Sequence, residues 1–180
     1  VPAQDAQGVL FDEVVDTPDE VGYRGPAACK AAGITYRQLD YWARTGLVEP
    51  SVRSAKGSGS QRLYGFRDVL VLKVVKSLLD AGVSLQQIRV AVGALRERGV
   101  DDLAQITLMS DGASVYECTS AQDVIDLLHG GQGVFGIAVG KVFREVENEL
   151  KVLPSVDPAD DAELALQDEL AARRRSRAVG

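Results

Sequence analysis

Arg37, Tyr41 and Arg44 follow one another at spacings of four and three in the run TYRQLDYWARTGL. At about 100° per residue on an α-helix, these side chains fall within about 60° of one another. They form one cationic, hydroxyl-bearing stripe. A guanidinium forks two parallel hydrogen bonds to phosphate oxygens or to a guanine edge, and a phenol adds a single donor. Such a stripe suits contact with duplex DNA. Tyr36, Leu39, Trp42 and Ala43 crowd the opposite side, so one face packs while the other is free to touch phosphates and base edges. Thr35 and Tyr36, at the mouth of the helix, complete the candidate set on this element. The plain alternative is a helical hairpin with a solvated charged face.

Other chemistries find little support. The chain has two cysteines, Cys29 and Cys118, and one histidine, His129, too few and too scattered for a three- or four-ligand metal site. Cys29 reads as a small core residue. Cys118 reads as a buried structural thiol, with a redox-sensitive thiol as the alternative. No Ser/His/Asp or Cys/His constellation can be built on a single histidine beside Gly130. Gly131, Gly133 and Gly136 spell GxGxxG, but they follow a helical stretch and enter a strand, the reverse of the nucleotide-binding order. Gly136 to Lys141 resembles a P-loop that lacks one spacer residue and has Val142 where a hydroxyl must meet magnesium. No cofactor, metal or catalytic residue is expected.

The elements that must hold the stripe are written in cap residues. Pro26 suits a first helical turn, Gly33 a left-handed helix end, and Thr35 with Gln38 a capping box opening the second helix. Val52 to Leu63, VRSAKGSGSQRL, has a flexible Gly/Ser tip between basic residues and precedes Tyr64. A two-stranded wing there would carry Arg53, Lys56 and Arg62. A long helix is predicted from Arg67 to Ala81, closed by Gly82, with Leu70, Val71, Val74, Val75, Leu78 and Leu79 buried and Arg67, Lys73, Lys76 and Asp80 in solvent. Ser84 and Gln87 open another helix as a second capping box, and that helix ends at Gly99. Leu85, Ile88, Val92 and Leu95 form its packing face.

This order of parts resembles the MerR family of bacterial transcription regulators: a helix-turn-helix, a wing ending in Arg-x-Tyr, then a two-helix hairpin. The matching stretches are ITYRQLDYWARTGLVEP and QRLYGFRDVLVLKVVKSLLDAGVSLQQI with the helix that follows, together about Tyr23 to Arg98. The resemblance implies DNA contacts from Arg37, Tyr41 and Arg44 on the recognition helix and from Arg62 and Tyr64 on the wing. Two departures stand out. Asp40 occupies a place where many relatives carry a basic residue, and the tip KGSGSQ is long. Asp40 either holds Arg37 or Arg44 as a helical i, i+3 or i, i+4 pair or repels phosphate at unwanted sites.

Charge is distributed in keeping with this. The chain is acidic overall, with 20 basic and 26 acidic residues, which alone argues against a nucleic-acid binder. Residues 23–98 nevertheless carry 13 Lys/Arg against 5 Asp/Glu, a net of +8, while the segments on either side are net negative. A basic domain between acidic segments is an electrostatic footprint for DNA. With no apolar run of about 18 residues, an acidic start where a signal peptide would be basic, and too few cysteines for a disulfide framework, a cytoplasmic, nucleoid-associated protein without membrane contact is expected. Residues 1–22 read as a disordered acidic arm.

The second half is predicted to be a small ββαβα domain over residues 99–153, giving a mostly α chain. Ile106 to Met109 and Val115 to Thr119 are strand-like around an Asp111-Gly112 turn, Ser120 caps a helix to His129, Gly133 to Val139 is a third strand and Lys141 to Leu153 a closing helix. The third strand is apolar on both faces and is expected to be buried, centrally or at a subunit contact. Gly99 to Asp102 interrupts the place where many members of the family continue into a long dimerising helix. The 99–153 domain, with or without the Ser84 helix, is therefore expected to join two subunits or to take an effector of unknown identity. Residues 154–180 are expected to be a flexible or partly helical tail, with disorder favoured because Pro154 and Pro158 detach it.

The function expected is that of a homodimeric, sequence-specific transcription regulator on a pseudo-palindromic promoter site, distorting promoter DNA with RNA polymerase as a possible partner. The alternatives are an architectural DNA-binding protein without a defined operator and a ligand-sensing regulator whose effector binds the C-terminal domain.

Overall fold

The structure, a computed structural model, describes residues 21–53, 62–129 and 135–178. Helices α1 (Gly25–Ala32) and α2 (Tyr36–Arg44) come first, followed by the long α3 (Phe66–Asp80) and by α4 (Leu85–Arg96). A four-residue helix α5 (Val100–Leu103) leads to strand β1 (Thr107–Ser110). Strand β2 (Val115–Cys118), helix α6 (Ala121–His129), strand β3 (Phe135–Ala138), and helices α7 (Val139–Lys151) and α8 (Pro158–Ala178) complete the order. The described residues are mostly helical with one small sheet.

The center of the molecule is α3. Nine of its fifteen residues are buried, because it is covered on different sides by α1, α4 and α7. One apolar core runs without a break from Ala28 through Leu72 and Ile88 to Val146 and Leu150. Phe66 of α3 meets Phe143 of α7 edge to face with ring centroids 4.8 Å apart. Lys73 and Glu145 pair across the same helices at 3.3 Å. The first half and the ββαβα segment thus share one hydrophobic interior.

The sheet has the order β2-β1-β3, antiparallel throughout, with Leu108 opposite Glu117 on one side and Ile137 on the other. Asp111 folds the β1–β2 turn by accepting from the N–H groups of Ala113 and Ser114 at 2.9 and 2.7 Å, and Gly112 takes a φ of 90° there. β3 is not the central strand. It lies at an edge, and of its four residues only Ile137 is buried. Gly136 and Ala138 are too small to demand cover, so their apolar character does not mark a central strand.

Other boundaries moved for similar reasons. α4 stops at Arg96, and Ser84 supplies only half of the expected capping box by accepting from Gln87 N–H. Leu85 is exposed, and Ala91 takes its place on the packing face. The tail is helical where disorder was favoured: Asp157 accepts from Ala159 N–H at 2.8 Å, and Glu169 pairs with Arg173 at 2.6 Å one turn on. The acidic arm lies outside the described residues apart from Val21 and Gly22. Gly22 and Val156 exchange both backbone hydrogen bonds at 2.8 Å, Tyr23 and Tyr64 do the same, and Arg53 pairs with Leu63. Three short bridges thereby gather the N-terminal segment, the wing base and the start of the tail.

Candidate nucleic-acid interface

α1 and α2 are joined as their caps dictate. Gly33 turns left-handed with φ 71° and donates its N–H to the Cys29 carbonyl. A Cβ would be strained in that conformation. Thr35 Oγ1 accepts from Gln38 N–H at 3.2 Å while Gln38 Oε1 accepts from Thr35 N–H at 3.0 Å, so both halves of the capping box are made. α2 is anchored by Leu39 and Trp42, which are buried. Each such burial stabilises by roughly 1.5–3 kcal/mol. With that face fixed, Thr35, Tyr36, Arg37, Tyr41 and Arg44 stand exposed on the other.

Asp40 links this ridge to the wing. One carboxylate oxygen accepts from Arg44 Nε at 2.9 Å, one turn along the helix, and the other accepts from Arg62 Nη1 at 2.8 Å, across from the wing strand. The Arg62 hydrogen bond, followed by the charge of Arg44, holds the Asp40 carboxyl below its ordinary value, and the same bond raises Arg62. A single carboxylate therefore orients two cations. Among the described residues Arg37 makes no hydrogen bond or ion pair, so its guanidinium projects from the ridge uncommitted.

Residues 23–95 match the model of the MerR HTH family regulatory proteins. Uncharacterized HTH-type transcriptional regulators of Mycobacterium tuberculosis and Mycobacterium bovis are 66% identical over 173 residues, which cover 94% of this chain and 76% of each relative. The chain belongs to the MerR family. The HTH-type transcriptional regulator HmrR of Sinorhizobium medicae is 34% identical over 71 residues, 39% of this chain and 46% of that protein. A Rhizobium meliloti protein named heavy metal-dependent transcription regulator 1 is 31% identical over 74 residues, 41% of this chain and 48% of that one.

In this MerR-family regulator the candidate residues do not all share one face. Tyr36, grouped by periodicity with the packing side, is 64% exposed, with one edge of its ring lying over Gly25, where a Cβ would stand 3.0 Å from it. Tyr64 is the larger correction. It is fully buried in the core, its hydroxyl has no hydrogen-bond partner, and burial pushes its phenol up to about 12. The Tyr23–Tyr64 bridge fixes the backbone with the ring inward, so Tyr64 is a core residue and cannot reach a phosphate from this position. Arg53 sits on the first wing strand, and Lys56 lies outside the described residues. Cys29 is half-buried and Cys118 buried; burial raises both thiols, which disfavours the reactive thiolate.

Several residues that hold the interface were missed. Arg89 and Arg96 of α4 donate to the Thr45 and Leu47 carbonyls at 3.1 and 2.8 Å, where the chain leaves α2. Arg67, expected in solvent, instead donates to the carbonyls of Leu95, Arg96 and Arg98 and closes the C-terminal end of α4. Asp68 is buried, and one of its oxygens accepts from Gly65 N–H, Ser51 N–H and Ser51 Oγ at 2.7–2.8 Å. That joins the turn before the wing to the start of α3. Of these, only Asp68 three residues after Gly65 had a local signal, since an acid at the third helical position satisfies orphan N–H groups.

Proposed function

We propose that this regulator binds a pseudo-palindromic promoter site as a homodimer, each subunit laying α2 in the major groove and the wing beside it, with the promoter DNA distorted so that RNA polymerase can use it. The observation that carries the proposal is the ridge of Thr35, Tyr36, Arg37, Tyr41 and Arg44 held outward by the buried Leu39 and Trp42. Arg37 is assigned to base edges, because a guanidinium free of internal partners can fork onto guanine O6 and N7. Arg44 and Arg62, oriented by Asp40, are assigned to backbone phosphates together with Tyr41, and Arg53 and Lys56 extend the wing contacts.

Metal dependence does not transfer from the relative that carries it in its name. Among the described residues no group of three or more His, Cys, Asp or Glu side chains is placed to hold a metal ion, and the free thiols lie in separate elements, on α1 and β2. The described residues do not fit such a site.

Selection of bound fragments from genomic DNA, followed by footprinting of an enriched promoter, tests the function directly. The expected footprint is two half-sites about 10 base pairs apart, or a multiple of that distance. Arg37→Ala is expected to weaken binding to that promoter by about 1–3 kcal/mol while leaving binding to random duplex nearly unchanged. Equal losses on both duplexes would favour an architectural role without an operator.

A further inference from the structure

Arg24 precedes α1 as its N-cap residue, and Arg53 lies on the first wing strand. The bridges between Tyr23 and Tyr64 and between Arg53 and Leu63 set the segments of the two arginines on either side of residues 63–64, and the Gly22–Val156 bridge brings the segment before α8 alongside residues 22–23. There the Asp161 carboxylate receives both guanidinium groups, Arg24 Nη2 on Oδ1 and Arg53 Nη2 on Oδ2. Its side chain is only 13% exposed.

We propose that Arg24 and Arg53 form a binding site for a DNA backbone phosphate, and that Asp161 occupies this site in the unbound chain as an internal stand-in for the phosphate. The proposal rests on the DNA-binding reading above. A carboxylate that accepts one guanidinium at each oxygen presents the same acceptor pattern as two non-bridging phosphate oxygens. Two guanidinium groups brought to one point repel each other unless an anion lies between them. The site is therefore built for an anion, and the chain supplies one from residues 108 and 137 positions away.

The stand-in is carried on an element that can leave. Beyond Asp161, Glu163, Leu166, Gln167 and Leu170 of α8 are exposed, and its Glu169–Arg173 and Glu163–Gln167 contacts are internal to the helix. Withdrawal of Asp161 exchanges two ion pairs for two phosphate contacts. It also removes the Asp160 and Asp161 charges from the neighbourhood of the wing. Free and DNA-bound chains then differ in where the tail starts, and the tail competes with DNA for the wing.

The test uses the full chain and a random-sequence duplex of about 30 base pairs, with affinity followed by fluorescence anisotropy from low to moderate salt. Asp161→Asn is expected to bind roughly threefold tighter or more near 0.1 M salt, because no internal anion then has to be displaced from the two guanidinium groups, with the slope of log affinity against log salt close to that of the wild type. Adding Arg24→Gln to Asp161→Asn removes that gain. Arg24→Gln alone, which keeps the carboxylate, makes the slope shallower and serves if the Asn variant folds poorly. Equal or weaker binding by a folded Asp161→Asn chain, or a gain that survives Arg24→Gln, overturns the proposal while the DNA-binding reading stands on the Arg37→Ala result. A wild-type chain that ignores duplex at every salt overturns that reading, and this site with it.

Discussion

The recognition region and the β-sheet region treat their apolar residues in opposite ways. Around α2 the large aliphatic and indole side chains, Ile34, Leu39, Trp42 and Leu47, are all buried, and what remains outside is cationic or hydroxyl-bearing. Around the sheet, Phe135 on the edge strand and Ile125 and Leu128 on α6 are each between 42% and 50% exposed, and α6 buries none of its residues. The first surface is complete and suited to a hydrated polyanion. The second leaves apolar area in water, where larger patches mark contact with another macromolecule. Carboxylates mark the same contrast: Asp40 and Asp161 tie down cations at the recognition face, whereas Asp111 and Asp123 near the sheet tie down backbone N–H groups.

The largest expected effect comes from a backbone contact inside the β-sheet region. Gly140 lies in the first turn of α7, where a Cβ would stand 2.2 Å from the Ala104 carbonyl oxygen. Alanine gains about 1 kcal/mol of helix propensity over glycine, but a clash with backbone cannot be relieved by a rotamer. Gly140→Ala is therefore expected to destabilise the fold by about 3 kcal/mol or more. Urea denaturation checks this, and an unchanged midpoint would show that the α5–β1 connection does not press on α7.

A smaller effect separates the two kinds of carboxylate. Asp68→Ala leaves Gly65 N–H and the two Ser51 donors without their acceptor, at a cost of about 1–3 kcal/mol. Asp68→Asn keeps an acceptor oxygen and is expected to lose less. The pH dependence has opposite signs at Asp68 and Asp161. Burial raises the Asp68 carboxyl above its ordinary 3.8, against the hydrogen bonds from Ser51 and Gly65. Between 3.8 and that raised value the native state binds more protons than the unfolded chain, so the contribution of Asp68 is full below 3.8 and is lost as pH rises through the raised value. The Arg53 hydrogen bond, with the charges of Arg24 and Arg53, lowers Asp161, so its contribution is present above 3.8 and is lost as pH falls through the lowered value. Denaturation of Asp68→Asn and Asp161→Asn across the acid range should show penalties that shrink toward neutral pH for the first and toward low pH for the second. Parallel curves would remove the distinction.

What could be read in the sequence and what could not divide along the length scale of the forces. Gly33, the Thr35–Gln38 box, the α2 stripe and the Asp111–Gly112 turn follow from contacts within about four residues, and each lies where the spacing put it. Arg67 was misplaced because its carbonyl partners lie 28 to 31 residues farther along the chain. Nothing local marks such a partner. The prolines that detach the tail are visible in the sequence, whereas the Asp161 pairs that hold it span more than a hundred residues. β3 lies at an edge although both of its faces are apolar, because in Gly136 and Ala138 one face is merely small.

Tyr64 gives the smallest expected effect and the sharpest test of the comparison. The resemblance to other regulators puts this ring among the DNA contacts, whereas the structure packs it fully in the core with a hydroxyl that has no partner. A buried, unpaired hydroxyl has lost its water without gaining a protein hydrogen bond, so removing it relieves a cost. Tyr64→Phe is accordingly expected to leave stability unchanged or raise it by about 1 kcal/mol, with DNA affinity at fixed salt the same as wild type. Thermal melting and anisotropy on the same preparation check both halves. A loss of affinity with stability intact would mean that the ring swings outward on DNA, which requires the Tyr23–Tyr64 bridge to open. In that event the wing, with Arg53 and Arg62 on its strands, would move as a unit when DNA binds, and the recognition face would be finished only in the complex.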